Sequence, residues 1–193
     1  MVTDEVYEHL VFSGARHRSL ASLPGMRERT ILCGSASKAY AMTGWRCGWT
    51  IGPAEVIGAC NTILSHATSN IASITQKAAI AALTGPQSDV ERMLAEYRTR
   101  RDAVHAWLTA HPAIKCVKPR GAFYLFPDIS DLLTGSVKTS AEFAQGLIEQ
   151  EHVAVTPGEG FDAPGYLRIS YAAATDQVEE AMRRMAKFVG SLT

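Results

Sequence analysis

The sequence predicts an α/β fold, because short runs of β-prone residues alternate with longer segments of helical spacing. The β-prone runs are bounded by glycine or proline, and the helical segments carry apolar residues on one face. A strong break at 84–88 separates two such groups. We therefore expect a first domain over residues 1–86 and a second over residues 87–193.

The first domain is predicted to contain two buried strands followed by two helices. The strands are expected over 30–33 and 47–51, where β-prone residues lie between glycines. Pro53 suits the first turn of a helix over 54–65, because its missing N–H is not needed there. A further helix is predicted over 74–83, since the Thr-Gly-Pro that follows it breaks helices.

The second domain is predicted to begin with a long helix capped by Ser88. Residues 114–117 and 121–126 then predict a pair of strands around a turn. Thr139 and Glu142 have the spacing of a capping box and predict the start of the next helix.

The remainder of the second domain is predicted to be two strands and a final helix. The strands are expected over 153–156 and 166–171, with a turn over 157–160 between them. Thr175 is predicted to cap the last helix, whose apolar residues lie on one face.

Composition excludes several classes of protein. The chain has 193 residues, of which 47% are hydrophobic and 20% charged, so disorder, collagen and coiled coil are excluded for the whole chain. Nineteen basic residues balance nineteen acidic ones, which gives no electrostatic footprint for nucleic acid or an acidic membrane. No run approaches the length of a membrane-spanning helix, so we expect no membrane partner.

The cysteines and the first residues predict a cytoplasmic protein. Four scattered cysteines in a chain of this length are typical of reduced thiols and not of a secreted disulfide framework. They form no CxxC pair, and no histidine pair has ligand spacing, so no metal site is expected. The first residues are acidic, which argues against a signal peptide.

The segment 34–49 lies around the connection between the two predicted strands of the first domain and contains several polar side chains that are suited to chemistry. A lysine beside a buried strand, here Lys38, is costly unless it is paired or converted to a less charged group. Lysine also forms imines with carbonyl compounds once its pKa is lowered. The hydroxyls of Ser35 and Ser37 and the guanidinium of Arg46 suit a phosphate. A solvated surface loop would have the same residues, and spacing alone favours that loop.

Two further groups are candidates for binding. Asp4 and Tyr7 would present a carboxylate and a phenol to one ligand from a strand end or tight loop, although these residues taken alone favour a merely polar N-terminus. Arg168 lies inside an apolar strand and needs an anion, which a carboxylate supplies best. The alternative is an arginine on an edge strand that faces water.

Together the motifs resemble the pyridoxal-phosphate-dependent class I and II aminotransferases, and more narrowly their aspartate and aromatic aminotransferase-like branch. The resemblance is carried, in the family's order and along essentially the whole chain, by DEVY, SASKAYAMTGWRCGW, PRGAFY, TPG and YLRISYA. It implies a fold type I transferase. Residues 1–86 would then be the C-terminal part of the cofactor-binding large α/β/α domain, and residues 87–193 most of the small α+β domain.

The resemblance implies a catalytic lysine, two cofactor ligands and a substrate ligand. Lys38 would form the Schiff base with pyridoxal phosphate and then act as general base and acid. Asp4 would keep the pyridine nitrogen protonated, and Tyr7 would hydrogen-bond the ring oxygen. Arg168 would hold the α-carboxylate of the amino acid or 2-oxo acid substrate.

The resemblance also implies a phosphate site and a second subunit. Ser35, Ser37 and Arg46 would hold the phosphate. Ser69 and Asn70 fall, in a loose match, where such enzymes reach into the neighbouring subunit's cofactor site. A homodimer is therefore expected. Arg16 and Arg18 are expected to be solvated loop charges and not specificity residues.

The chain resembles the C-terminal half of a family member. The family's preceding half supplies backbone amides for the phosphate, the ring that stacks on the pyridine, an asparagine to the ring oxygen and a tyrosine across the dimer. Without it, we expect exposed apolar faces, unpaired strand edges and poor or absent transamination.

Three other functions remain open at this point. The same motifs serve C–S lyases, because the cofactor carries the electron-sink step. An aminotransferase-like regulatory or sensor domain and a catalytically silent fragment are the others. The substrate is not determined, and aspartate, aromatic and alanine-type donors stay open.

Overall fold

The chain forms two compact units in a computed structural model that describes residues 1–12 and 14–192. The units are Met1–Leu94 and Ala95–Thr193. The division falls inside the helix that begins at Ser88, whereas the sequence predicts a boundary between residues 86 and 87. Both units combine strands with helices, so the α/β prediction is confirmed.

A three-stranded sheet organises the first unit. Its strands are β1 (Val2–Asp4), β2 (Ile31–Ser35) and β3 (Gly48–Ile51), in the order β1-β2-β3. β1 runs parallel to β2, and β3 is antiparallel to β2. The short helix α1 (Ala36–Ala39) follows β2 without a linker. Both predicted strands are therefore present.

Two helices complete the first unit, and their apolar side chains are largely uncovered. They are α2 (Ala54–Ala67), in which no residue is buried, and α3 (Ser73–Thr84), in which only Thr75 and Ala79 are buried. The exposed large apolar residues on and beside them are Ile51, Ile63, Leu64, Ile71, Ile74, Ile80 and Leu83. This exposure is the one expected for half of a larger domain.

The second unit contains an antiparallel sheet and amphipathic helices around its own core. The elements of this part of the chain are α4 (Ser88–Ala110), which begins in the first unit, β4 (Tyr124–Leu125), α5 (Ser140–Glu151), β5 (Thr156–Pro157), β6 (Leu167–Ser170) and α6 (Thr175–Gly190). The strand order is β4-β6-β5, so β6 is central. The core residues include Leu108, Leu125, Phe143, Leu147, Leu167, Tyr171, Met185 and Phe188, all fully buried. Among the described residues, no helix is both long and apolar enough to cross a bilayer.

Strand predictions in the second unit are only partly correct. Residues 114–117 and 121–126 do not pair with each other; Lys115 forms a single bridge with Asp128 instead, and β4 is only two residues long. The strand predicted over 153–156 is reduced to β5, and a 3-10 turn over Gly158–Phe161 replaces the predicted simple turn. β4 and β5 each pair with β6, which lies between them. This pairing between distant segments is not encoded in a local pattern, so the sequence did not predict it.

The helix start that has a complete capping box is predicted correctly. Thr139 accepts a hydrogen bond from the Glu142 amide and Glu142 bonds back, so the capping box is confirmed. Thr175 is wrong as a cap, because α6 begins at Thr175 itself and its hydroxyl accepts a bond from Arg100. Ser88 and Pro53 are each displaced by one position: Ser88 is the first helical residue and Pro53 is the N-cap. A pattern locates such starts only to within a residue or two.

Candidate functional site

The candidate cofactor residues of the first unit gather at one edge of its sheet. Because β1 and β2 are parallel, their carboxyl ends lie at the same edge, where open α/β sheets bind ligands. Asp4 ends β1 and pairs with Cys33, and Ser35 ends β2 two residues later. Two residues of strand span about 7 Å, so Asp4 and Ser35 are close neighbours along this edge.

Ser35 and Ser37 are positioned by the start of α1. The Ser35 hydroxyl accepts a hydrogen bond from the Ser37 amide at 3.0 Å and lies 3.0 Å from the Cys47 carbonyl, to which it donates. The two serine hydroxyl oxygens are 2.9 Å apart. Lys38 is the next residue of α1 and is half-buried. Both hydroxyls and the lysine amine therefore belong to one turn of chain.

Arg46 lies at the same edge of the sheet, in a loop whose backbone is strained. It has a left-handed backbone conformation (φ 52°), which is uncommon outside glycine, and it lies just before β3. Its side chain is exposed and donates one hydrogen bond, 2.7 Å long, to the Thr43 carbonyl. A guanidinium has five N–H donors, so most of its donors remain available for an anion.

Glycine is required where Trp49 packs against β2. A Cβ atom on Gly34 would overlap the Trp49 indole, so this close approach admits only glycine. Trp49 packs on the small apolar cluster that includes Ala36 and Met42. This packing holds β3, and the loop ahead of it, against the strand that ends at Ser35.

These residues fit pyridoxal phosphate by the chemistry of their donors. Two hydroxyls and a guanidinium suit its phosphate, a half-buried lysine amine suits its aldehyde, and the Asp4 carboxylate suits a protonated ring nitrogen. The arrangement brings Asp4, Ser35, Ser37 and Lys38 to one sheet edge with Arg46 beside them.

Asp4 and Tyr7 flank a buried acidic residue. Asp4 is exposed, and its carboxylate accepts a hydrogen bond from the Val6 amide at 3.3 Å. Tyr7 is half-buried in the turn that follows β1. Between them, Glu5 is only 6% exposed.

The Glu5 carboxylate is held by a segment more than ten residues away. It contacts His17 Nε2 at 2.8 Å and accepts hydrogen bonds from the Ser19 hydroxyl and the Leu20 amide, each 3.1 Å long. Burial by itself raises the pKa of the Glu5 carboxyl, but the bonds from His17, Leu20 and Ser19 outweigh it and lower the pKa below its usual value. The only sequence signal was an acidic residue between two candidate ligands, and its partners are too distant for a local pattern to show.

Arg168 belongs to the second unit and lies on its central strand. The interpretation of an edge-strand arginine facing water is therefore wrong. The guanidinium carbon lies 4.7 Å from the ring centroids of both Tyr124 and Phe161, and a nitrogen lies 3.5 Å from the Thr156 hydroxyl. Within the described part of the chain no carboxylate pairs with it. A half-buried cation held between two rings is suited to a ligand carboxylate.

The remaining predicted residues are less informative. Ser69 and Asn70 follow α2 and are exposed, with Ser69 in a left-handed conformation (φ 57°). Arg16 and Arg18 are exposed, as expected for loop charges. No sequence motif indicates Phe161, and Tyr124 is present only as part of the PRGAFY motif; the position of both rings beside Arg168 depends on strand pairing.

Comparison with known proteins shows the family of this chain. Residues 1–185 match the family model "Aminotransferase class I and II", and the chain belongs to this family. It is 42% identical over 191 residues to an aspartate aminotransferase of Geobacillus stearothermophilus and 41% identical to one of Bacillus subtilis. Each match covers 98% of this chain and 49% of the relative.

Solved structures give the same result. The aspartate aminotransferase from Rhizobium meliloti superimposes with a TM-score of 0.92 at 39% identity, over 98% of this chain and 49% of that one. An aromatic aminotransferase from Pyrococcus horikoshii gives 0.92 at 40% identity, over 100% and 52%. The chain therefore has part of the aminotransferase fold and spans about half the length of the proteins that it matches.

Proposed function

We propose that the chain is the part of a pyridoxal-phosphate-dependent aminotransferase that carries the reactive lysine, and that the parent enzyme exchanges amino groups between an L-amino acid and a 2-oxo acid. The observation that carries the proposal is the single turn of chain holding Ser35, Ser37 and Lys38 at the sheet edge where Asp4 ends β1. Family membership supports it.

Each residue has a task that its chemistry suits. Ser35, Ser37 and Arg46 bind the phosphate through hydroxyl and guanidinium donors. Asp4 holds a proton on the ring nitrogen, and Tyr7 donates to the ring oxygen. When bound, pyridoxal phosphate supplies an electron sink for bond cleavage at the substrate's α-carbon.

Proton transfer is the task of Lys38, and substrate orientation that of Arg168. Lys38 would hold the cofactor through its aldehyde and, when its amine is free, would act as general base towards the proton on the substrate's α-carbon and then as general acid. Arg168 binds the α-carboxylate, which fixes the direction of the α-carbon's C–H bond. Homodimer formation, a cytoplasmic location and the domain boundary at residues 86 and 87 stay predictions that rest on the sequence and its resemblance.

The first experiment asks which lysine reacts with the cofactor. The purified chain is mixed with pyridoxal phosphate, reduced with borohydride and digested, and the adduct is located by peptide mass. We expect one stoichiometric adduct on Lys38 that disappears in Lys38→Ala. Lys77→Ala is the matched control, because Lys77 is an exposed lysine on α3 of the same unit. Adducts spread over many lysines, or none, would contradict the proposal for this chain.

A second assay separates transamination from lyase chemistry. An amino acid and a 2-oxo acid are supplied together, and both expected products and ammonia are measured. Exchange of the amino group without ammonia supports an aminotransferase, whereas ammonia release identifies a lyase. Because the chain spans about half of its relatives, we expect slow or absent turnover by the chain alone.

A further inference from the structure

Glu5 is a buried carboxylate between the two candidate cofactor ligands Asp4 and Tyr7. The Glu5 amide donates to the Cys33 carbonyl at 2.9 Å, which continues the ladder between β1 and β2 by one residue. Successive side chains of a strand point to opposite faces. Accordingly Glu5 is buried and Asp4 is exposed. Fixing Glu5 on one face therefore holds Asp4 on the other.

Glu5 is fixed on that face at both carboxylate oxygens. Oε2 contacts the His17 ring at 2.8 Å, and Oε1 accepts from the Ser19 hydroxyl and the Leu20 amide. The side chain of Glu5 is 4% exposed, so solvent has little access to its carboxylate oxygens, whereas the side chain of His17 is 32% exposed. Hydrogen bonds to an ionised group in such a setting are stronger than neutral ones.

The same residue also starts the turn that carries Tyr7. The Glu5 carbonyl accepts a hydrogen bond from the Glu8 amide at 3.1 Å, and the Tyr7 carbonyl accepts one from the Leu10 amide at 2.9 Å. A rigid Glu5 therefore defines where this turn leaves the sheet. By holding Glu5, the segment 17–20 therefore supports both Asp4 and the turn that contains Tyr7.

We propose that Glu5 is a positioning residue of the cofactor site: its carboxylate, held by His17, Ser19 and the Leu20 amide, sets the direction in which Asp4 and the Tyr7 turn face the cofactor. This inference rests on the proposed function for the identity of the ligand. The positioning itself is a property of the chain without ligand and is testable there.

The test compares Glu5→Gln and His17→Gln with Glu8→Gln as the matched control. Glu8 lies on the same turn, and its side chain is 37% exposed, with a 3.6 Å contact to His9. Hydrogen exchange is measured on the ligand-free full chain. We expect exchange at the amides of Glu8 and Leu10 to rise about tenfold or more in both Glu5→Gln and His17→Gln, relative to the amides of β2, and to stay unchanged in Glu8→Gln.

The second measurement is the dissociation constant of pyridoxal phosphate, followed by absorbance. We expect it to rise about fivefold to tenfold in Glu5→Gln and His17→Gln, with a changed spectrum of the bound cofactor, and to stay unchanged in Glu8→Gln. Combining the two substitutions should add little to either one, because both break the same contact.

Several outcomes would overturn the inference. Faster exchange spread equally over the turn and β2 would show that Glu5 merely stabilises the unit, as would a lower melting temperature with unchanged cofactor affinity and spectrum. Equal effects of Glu5→Gln and Glu8→Gln would assign the effect to loss of charge. If the chain without substitutions binds no pyridoxal phosphate, the proposed function fails for this chain. The hydrogen-exchange rates of the variants then support or refute the positioning by Glu5 on their own.

Discussion

At the scale of single residues, a charged group in this chain is informative when it is partly buried. Arg168 and Glu5 both lie where solvent is limited, and each is held by specific contacts: two aromatic rings for Arg168, and three polar partners for Glu5. Arg16 and Arg18 lie in solvent and have no such setting. Burial of a charge is costly, so a buried charge indicates a partner or a ligand.

The first prediction concerns the anion at Arg168. Replacing Arg168 with Gln should raise the dissociation constant of pyruvate by about 10-fold to 100-fold, because a charge-assisted hydrogen bond contributes about 1.5–3 kcal/mol. Pyruvate is chosen because its only anionic group is the α-carboxylate. Arg168→Lys should be intermediate, since it keeps the charge and loses the planar fork. Calorimetry on the cofactor-loaded chain gives the constants.

The control for that prediction is Arg183→Gln. Arg183 is an exposed arginine of the second unit that bonds to Glu180. Equal loss of pyruvate affinity in the Arg168 and Arg183 variants would indicate a general charge effect and would contradict a carboxylate site at Arg168.

At the scale of elements, the helices differ in how their starts are encoded. α5 begins with a complete capping box, in which Thr139 and Glu142 satisfy each other's backbone amides. α2 and α6 begin without a side-chain cap. A capping box is written in four consecutive residues, so it can be predicted from sequence, whereas an uncapped start depends on the packing of the helix.

We expect Thr139→Ala to lower the free energy of unfolding by about 1 kcal/mol, the usual effect of losing a side-chain cap. Urea denaturation measures it. Thr99→Ala is the control, because Thr99 is an exposed threonine inside α4 and alanine is the better helix former there. A loss in Thr99→Ala as large as that in Thr139→Ala would argue against the cap as the cause.

At the scale of the whole molecule, the two units differ in how well each encloses a core. The second unit buries large residues such as Phe143, Tyr171 and Phe188. The first unit leaves α2 without a buried residue, and Ile63 and Ile74 are 68% and 72% exposed. Exposed apolar patches of this kind mark surfaces that other protein segments cover.

Self-association of the isolated chain should therefore depend on the exposed apolar residues of α2 and α3. We expect the chain to self-associate as its concentration rises, which sedimentation velocity measures. The double substitution Ile63→Glu and Ile74→Glu should shift the chain towards monomer, because burial of the introduced charges is costly. Val117→Glu should have no such effect, although Val117 is 87% exposed, because it lies in the second unit. Unchanged association in the double variant would place the contact elsewhere.

The sequence by itself determined the α/β class, the family resemblance, most helices and the identity of the candidate ligands. These features are encoded in local periodicity, in a capping box and in short motifs such as the one containing Ser35, Ser37 and Lys38. Only the tertiary structure decided that Asp4 and Ser35 share a sheet edge, that Arg168 lies on a central strand, and that His17 holds Glu5. Each of these depends on strand pairing or on contacts between distant residues, and no local pattern specifies them.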